Sequence, residues 1–149
     1  MEKYTNIERK IKSMTAKEII MAMVDGLMNP VTKIDMYNFG SYEDGICYGC
    51  AATNAICRIG MLDPEEELQR MGGPKYRNYS YLISGFEDAV DCLRNGNIKR
   101  YNGLAKEYGF ATIKTSTELP EIDNDNYQDQ KVIQAYIDLA NDQESEVKS

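Results

Sequence analysis

The stretch Thr15-Ala-Lys-Glu-Ile-Ile-Met-Ala-Met-Val-Asp-Gly-Leu-Met-Asn-Pro30 carries the strongest helical pattern of this chain. Thr15 and Glu18 have the spacing of a capping box, in which two side chains bond the first free amides of a helix. The apolar residues that follow recur at helical spacing: Ile19, Ile20, Met23, Val24, Leu27 and Met28. Pro30 ends the pattern, since proline cannot continue a helix. We therefore predict an amphipathic helix that buries one face against other helices.

Similar periodicity appears in six other segments, which lie near residues 4–11, 48–60, 63–72, 79–94, 98–108 and 126–141. Short extended pieces are expected only at 33–37 and within 110–122. We predict a mainly α fold, with a single compact domain of about six helices, one long ordered loop and at most one or two short strands. The domain is expected to span residues 1–142, and residues 143–149 are expected to form a frayed acidic tail.

Length and composition favour one cytoplasmic domain. The chain has 149 residues and shows no Pro, Gly or Ser linker, which is the usual size and organisation of a single domain. Its longest apolar run, Ile19 to Val24, is far shorter than the roughly 20 residues that cross a bilayer, so we predict no membrane segment. The first ten residues are too polar for a secretory signal, and the cysteines are therefore expected to remain thiols in the cytoplasm.

The net charge of −7 is distributed in blocks. Residues 1–17 hold five basic and two acidic groups, and residues 75–106 hold six and three, so each block is +3. Residues 18–74 hold three basic and nine acidic groups, and residues 118–149 hold two and nine, giving −6 and −7. Such blocks suit a protein partner or a homo-oligomer, although a solvated acidic face gives the same pattern. Nucleic acid is an unfavourable partner, because the overall field repels phosphates.

Three of the four cysteines, Cys47, Cys50 and Cys57, fall within eleven residues of a chain that has no histidine. On a continuous helix they share one face with Asn54 and Met61, which is also how a packed stripe looks. Cys57 would lie about 10 Å beyond Cys50 along that helix, too far for both to bind one metal ion. We predict no metal and no cofactor, and we favour a buried seam of small sulfur side chains.

Cys50 is nevertheless a candidate nucleophile, because it follows Gly49 at a helix start, where the dipole lowers a thiol pKa. A cysteine hydrolase normally needs a histidine base, and the chain has none, so we lean against an enzyme. The alternative function is a thiol-dependent enzyme or small-ligand binder with a pocket between the long loop and the cysteine helix. Asp35, Tyr37 and Asn54 are its candidate ligand-binding residues.

A basic and aromatic patch is expected on the helical hairpin formed by residues 79–108. Its members are candidates for contacting a partner: Arg94, Lys99, Arg100, Tyr101 and Lys106. The patch could bind an anionic protein surface, and a second alternative function is nucleic-acid binding through residues 94–106. A solvated helix face is the commoner explanation of such a patch.

Asn29-Pro-Val-Thr-Lys-Ile-Asp-Met36, Phe39-Gly40 and the cysteine helix together resemble small uncharacterised bacterial and phage proteins. In those proteins an Asp-Met pair and an aromatic residue precede a helix rich in cysteine, glycine and alanine. The resemblance covers residues 29–60 and implies that loop and helix form one structural unit, without implying an activity. The leading hypothesis is a small cytoplasmic regulator or inhibitor, of bacterial or phage origin, that binds another macromolecule.

Overall fold

A computed structural model describes residues 2–37, 41–63, 80–115 and 117–147 of the chain. These residues form six helices around one hydrophobic core, together with a small sheet, so the predicted mainly α fold is confirmed. The helices are α1 (Glu2–Ser13), α2 (Ala16–Met28), α3 (Ala51–Gly60), α4 (Tyr81–Arg94), α5 (Ile98–Tyr108) and α6 (Gln130–Val147). The strands are β1 (Lys33–Ile34), β2 (Ser41–Glu43) and β3 (Ile46–Gly49).

The helix predicted between Thr15 and Pro30 is α2, and its capping box is present. The amide of Glu18 donates to Thr15 Oγ1 over 3.1 Å, and the amide of Thr15 donates to Glu18 Oε1 over 2.8 Å. The apolar face of α2 is buried where it packs against α3 and α6. Gly26 allows the closest approach, because a Cβ there would lie 3.2 Å from the backbone of Asn54 and Ala55. The helix predicted from local spacing thus lies at the centre of the packing.

The sheet differs from the prediction, because it has three short strands instead of one or two. β3 is the middle strand, with β1 parallel to it on one side and β2 antiparallel on the other. Asp44 and Gly45 join β2 to β3 with φ values of +51° and +80°. Two positive φ values in a two-residue connection are typical of the hairpin turn that Asp-Gly favours. This turn signal lay in the segment that we predicted to be a loop.

The hairpin also corrects the predicted cysteine face. Cys47 lies in β3, where strand pairing holds the backbone extended, and Cys50 is the N-cap of α3. Of the three clustered cysteines, only Cys57 lies within the helix. Met61 follows the helix in a left-handed conformation and is exposed. The prediction that all of these side chains share one helical face is therefore wrong for Cys47 and Met61.

The helical hairpin of α4 and α5 is confirmed, and the C-terminal helix differs from the prediction at both ends. Asp123 Oδ1 accepts hydrogen bonds from the amides of Asp125 and Asn126, and this turn delays the start of α6 beyond the predicted residue 126. The helix also continues past 142, and Gln143 is buried because its amide group pairs with the backbone of Lys114. The predicted tail therefore begins inside α6.

Two predicted features lie outside the described residues. One is the helix expected at 63–72, apart from Asp63 itself. The other is the Phe39-Gly40 pair of the loop.

Two fully buried tyrosines join α5 and α6 to the connections between helices. The hydroxyl of Tyr101 donates to the Ala111 carbonyl over 2.8 Å, and that of Tyr136 donates to the Pro120 carbonyl over 2.6 Å. Burial raises the pKa of both phenols well above the ordinary value. The folded protein therefore holds these protons at a pH where the unfolded chain releases them.

We predict that the free energy of unfolding falls as the pH rises above about 10, the phenol pKa of the unfolded chain. Each buried phenol contributes stability that is fully present below that pH and is lost as the pH rises toward its folded pKa. For each buried phenol, the free energy of unfolding falls by up to about 1.4 kcal/mol per pH unit in this range. Urea unfolding of the wild type and of Tyr136→Phe between neutral and strongly alkaline pH checks this. The free energy of unfolding of Tyr136→Phe should fall less steeply with pH above about 10 than that of the wild type, because one titrating phenol is missing. Parallel curves of unfolding free energy against pH for the two proteins would contradict the prediction.

Candidate functional site

Cys50, the candidate nucleophile, is buried at the start of α3 with 2% of its surface exposed. Its Sγ lies 3.6 Å from Thr53 Oγ1. Burial raises the pKa of the Cys50 thiol; hydrogen bonds with Thr53 act in the opposite direction, and the charge of Glu87 raises it further. The position of Cys50 at a helix start predicts a pKa lowered by the helix dipole, but desolvation is the larger effect here. Cys50 is therefore a neutral, enclosed thiol at physiological pH.

The described residues offer no obvious metal centre. Within that part of the chain, no three side chains of Cys, Asp or Glu come together in a way that could hold a metal ion. Cys57 is buried like Cys50, while Cys47 and Cys92 are half-buried. Enclosed neutral thiols are typical of packing residues.

Asn54, a candidate ligand-binding residue, is fully buried and has a structural set of partners. Its Oδ1 accepts hydrogen bonds from the amides of Val31 and Thr32 over 2.8 and 3.1 Å. Its Nδ2 donates to Thr32 Oγ1 and to the Cys50 carbonyl over 2.8 and 3.0 Å. These four bonds use the whole capacity of the amide. Asn54 ties α3 to the segment after α2, and none of its capacity remains for a ligand.

Asp35 and Tyr37 lie on a loop that is fixed to the rest of the fold by the amides of Asp35 and Met36 and by the buried Met36 side chain. The amide of Asp35 donates to the Gly49 carbonyl over 2.9 Å, which extends the pairing of β1 with β3. The amide of Met36 donates to Asn124 Oδ1 over 2.8 Å, and the amide of Tyr37 donates to Asp35 Oδ1 over 3.1 Å. The Met36 side chain is buried. The loop is therefore anchored, while the Tyr37 side chain is 75% exposed.

Arg94 is the residue that the exposed tyrosine meets. Its guanidinium carbon lies 5.8 Å from the centre of the Tyr37 ring, within reach of a cation–π interaction. The same guanidinium donates to Asp91 Oδ1, to Asn95 Oδ1 and to the Ile122 carbonyl over 2.8, 3.2 and 2.8 Å. The fold thus brings together two groups of candidates that the sequence placed 57 positions apart.

The predicted basic patch is smaller than expected. Arg94 is only 5% exposed and Tyr101 is fully buried, because both side chains hold loops against the helical hairpin. Their predicted role in direct partner contact is therefore wrong. Lys99, Arg100 and Lys106 are exposed. Of the five residues predicted for this patch, three remain at the surface of the hairpin.

A polar cleft of about 460 Å³ opens beside Arg94, between α4 and α5. Two of its lining residues, Asp91 and Asn95, are the ones that accept hydrogen bonds from Arg94. The others are Asp88, Cys92, Asn97, Arg100 and Leu104. We call Tyr37 and the residues linked to it through Arg94, namely Asp91 and Asn95, the Tyr37 face. It places an exposed aromatic ring next to a polar cleft that carries charges of both signs.

Sequence reasoning missed several residues of this site. Asp88, Asp91 and Asn95 were not among the predicted site residues, although helical spacing puts the three on one side of α4. Asn124 lies 88 positions beyond the amide it binds. Nothing local indicated that Tyr37 would lie against the end of that helix.

A second open groove lies where β1 and β3 diverge. Val31 and Ile46 are exposed apolar residues on its walls, and Lys33, Cys47 and Asp63 also line it. The Lys33 ammonium lies 5.8 Å from the centre of the Tyr48 ring, which keeps this cation beside the sheet. The groove is shallow, and it lacks the anchored aromatic ring of the Tyr37 face.

Comparison with protein-family models, curated proteins and solved structures finds no match for this chain. The resemblance of residues 29–60 to small bacterial and phage proteins thus stays a prediction. Across the described ranges, no helix is long and apolar enough to span a bilayer. The function of this chain must therefore be inferred from its own residues and their geometry.

We predict that Asn54→Ala lowers the free energy of unfolding by about 3 kcal/mol, because it leaves buried partners without hydrogen bonds. Asn102→Ala is the matched control. Asn102 pairs with the backbone of Ile113 through two bonds and is only half-buried, so its loss should cost about 1 kcal/mol. Denaturant unfolding of both variants measures the difference, and equal costs would contradict the role assigned to Asn54.

We predict that iodoacetamide alkylates Cys50 at least about tenfold more slowly than free cysteine at neutral pH, since its raised pKa and burial both reduce accessible thiolate. Peptide mass mapping measures labelling at each cysteine. In urea all four cysteines should be labelled, which provides the control for reagent access. Cys50 labelling faster than that of free cysteine would contradict this prediction and restore the nucleophile hypothesis.

Proposed function

We propose that this protein acts by binding another protein through the Tyr37 face. The observation that carries the proposal is the Tyr37 ring, which is 75% exposed although the backbone beneath it is anchored. Tyrosine is among the residue types that dominate binding energy at protein interfaces. An exposed aromatic ring on a fixed loop is the feature expected of a binding anchor.

The anchored loop lowers the cost of binding. Ordering a loop and its side chains during association consumes part of the interaction energy. Here the amides of Asp35, Met36 and Tyr37 are already bonded. Arg94 lies near the ring and is itself held by Asp91 and Ile122. From Asp35 to Tyr37, a partner would meet backbone amides that are already hydrogen-bonded.

The charges of the cleft next to the Tyr37 face favour a protein over other ligands. Asp88 and Asp91 lie on α4, and Arg100 lies on α5, so the cleft presents both signs. A polar rim around an aromatic anchor is typical of protein interfaces. The carboxylates oppose a nucleic-acid backbone, and the burial of Arg94 removes one cation from that alternative.

We further propose a regulatory or inhibitory role in the cytoplasm. An enclosed Cys50 with a raised pKa gives little support to a thiol-dependent enzyme. No disulfide joins any of the four cysteines, all of which lie in the described part of the chain, and this is compatible with a reducing compartment. A role that depends on binding alone needs only the surface described above.

The test compares Tyr37→Ala with Tyr81→Ala in affinity capture from a lysate of the native host. Tyr81 is 74% exposed, and its ring packs at a tilt against that of Tyr108 with ring centres 4.7 Å apart, so it is a control of equal exposure. We expect recovery of a specific partner with the wild type and Tyr81→Ala. Recovery with Tyr37→Ala should fall at least about tenfold, the loss that corresponds to about 1.4 kcal/mol.

Nuclease treatment of the lysate separates a direct protein partner from one bridged by nucleic acid. Circular dichroism and thermal unfolding should be alike for all three proteins, since both side chains are mostly exposed. Equal recovery of the same proteins by the wild type and both folded variants would refute binding through Tyr37.

A further inference from the structure

We propose that the outward side of α5 around Gly103 is a second binding surface, and that its partner is an acidic segment of another protein. The surface consists of Lys99, Gly103 and Lys106, and we call it the Gly103 face. It shares no residue with the Tyr37 face.

The Gly103 face lies on the side of α5 that is turned away from the core. Successive residues of a helix are rotated by about 100°, so residues 99, 103 and 106 lie on one side of it. Tyr101 and Ala105 lie on the opposite side and are buried. Lys99, Gly103 and Lys106 are all exposed. This side of the helix is therefore accessible to a partner.

Gly103 lies in the middle of α5, where glycine is unfavourable. Apart from proline, glycine is the residue that disfavours a helix interior most, because it loses the most backbone freedom on folding. A structural reason for a glycine is either a close neighbour or a positive φ. Gly103 has neither, since its φ is not positive and no neighbouring atom lies within 4 Å of the position of an added Cβ.

The other glycines in the described part of the chain each have one of these two reasons. A Cβ would lie 3.2 Å or less from a neighbouring atom at Gly26, Gly49, Gly60 and Gly85. The φ is positive at Gly45, Gly96 and Gly109. A helix side that meets only solvent would be more stable with alanine at position 103. The open backbone there is the feature expected where another chain approaches closely.

The charges of this side of α5 define the chemistry of the partner. Lys99 and Lys106 flank Gly103 on one edge, and Arg100 and Glu107 lie on the other. Three cations and one carboxylate give a formal charge of +2, in a chain whose net charge is −7. The Gly103 face therefore attracts an anionic group locally and opposes a basic one.

An acidic protein segment fits this face better than a nucleic acid does. The net charge of −7 repels an extended polyanion, whose affinity comes mainly from its phosphates. Lysine side chains also reach phosphates without any close approach of the two backbones. Exposed ion pairs alone contribute little to association. A polypeptide that packs at Gly103 gains contact with the helix backbone and with the aliphatic stems of Lys99 and Lys106, while its carboxylates pair with both ammonium groups.

Titration with a short oligoglutamate peptide, followed by amide NMR shifts, tests the Gly103 face. We expect the largest shifts at Lys99, Gly103 and Lys106. Gly103→Ala should raise the midpoint of thermal unfolding by about 3 °C, because alanine favours the helix. The same substitution should weaken peptide binding at least about threefold, because the added methyl group keeps the peptide away from the backbone.

Lys106→Glu should weaken binding of the peptide at least about tenfold. Lys12→Glu is the matched control, since Lys12 is an exposed lysine in the last turn of α1 and Lys106 lies in the last turn of α5. It makes the same change in net charge and should bind the peptide almost as the wild type does. Tyr37→Ala should also bind like the wild type, so the result does not depend on the proposed function.

Three results would overturn the inference. The first is a Gly103→Ala variant that binds the peptide as well as the wild type, or that loses thermal stability and so reveals a reason for the glycine within the chain. The second is an equal loss of binding in Lys12→Glu and Lys106→Glu, which would reduce the interaction to net charge. The third is a single-stranded DNA oligonucleotide that shifts these amides when oligoglutamate does not, which would identify the wrong class of partner.

Discussion

The site depends on the buried guanidinium of Arg94. A buried charge is costly unless its hydrogen bonds are satisfied, and Arg94 meets this requirement by bonding Asp91, Asn95 and the Ile122 carbonyl. The amide of Ile122 donates in return to the Arg94 carbonyl over 2.7 Å. These contacts hold the connection before α6 against the end of α4. Removing the guanidinium would release that connection and the surface above it.

The same connection positions the exposed tyrosine. Two residues after Ile122, the Asn124 side chain accepts from the Met36 amide and so fixes the loop that carries Tyr37. The ring then lies over Arg94, the residue that holds the connection. These contacts link three chain segments that are distant in sequence: the loop that carries Tyr37, the end of α4 at Arg94, and the connection at residues 122–124. The exposed Tyr37 side chain thus follows two residues, Asp35 and Met36, whose amides are bonded to other segments of the fold.

The helices were predictable because their signals are local. The capping box at Thr15 and the apolar spacing of α2 depend on residues at most four positions apart. The signal for the β2–β3 hairpin, Asp44-Gly45, was also local. The alternation of apolar and polar residues on either side of it is short, so the sequence predicted a loop there. The prediction that the cysteines share one helical face was wrong because Cys47 lies in β3. Pairing with the neighbouring strands holds its backbone extended, so helical spacing does not apply to it. The local pattern thus predicted the positions of the helices well and those of the short strands poorly.

The sequence alone determined the mainly α architecture, because the burial of periodic apolar faces leaves few other arrangements. It also identified Tyr37 and the basic hairpin as candidates, but only as separate ones. Tertiary structure decided which candidates are accessible, by burying Arg94, Tyr101 and Asn54 in hydrogen-bonded roles. It also decided the proximity of Tyr37 to Arg94 and the environment of Cys50. The accessibility of the candidates and the proximity of Tyr37 to Arg94 depend on burial and on contacts between distant residues. The spacing of neighbouring residues encodes neither of these.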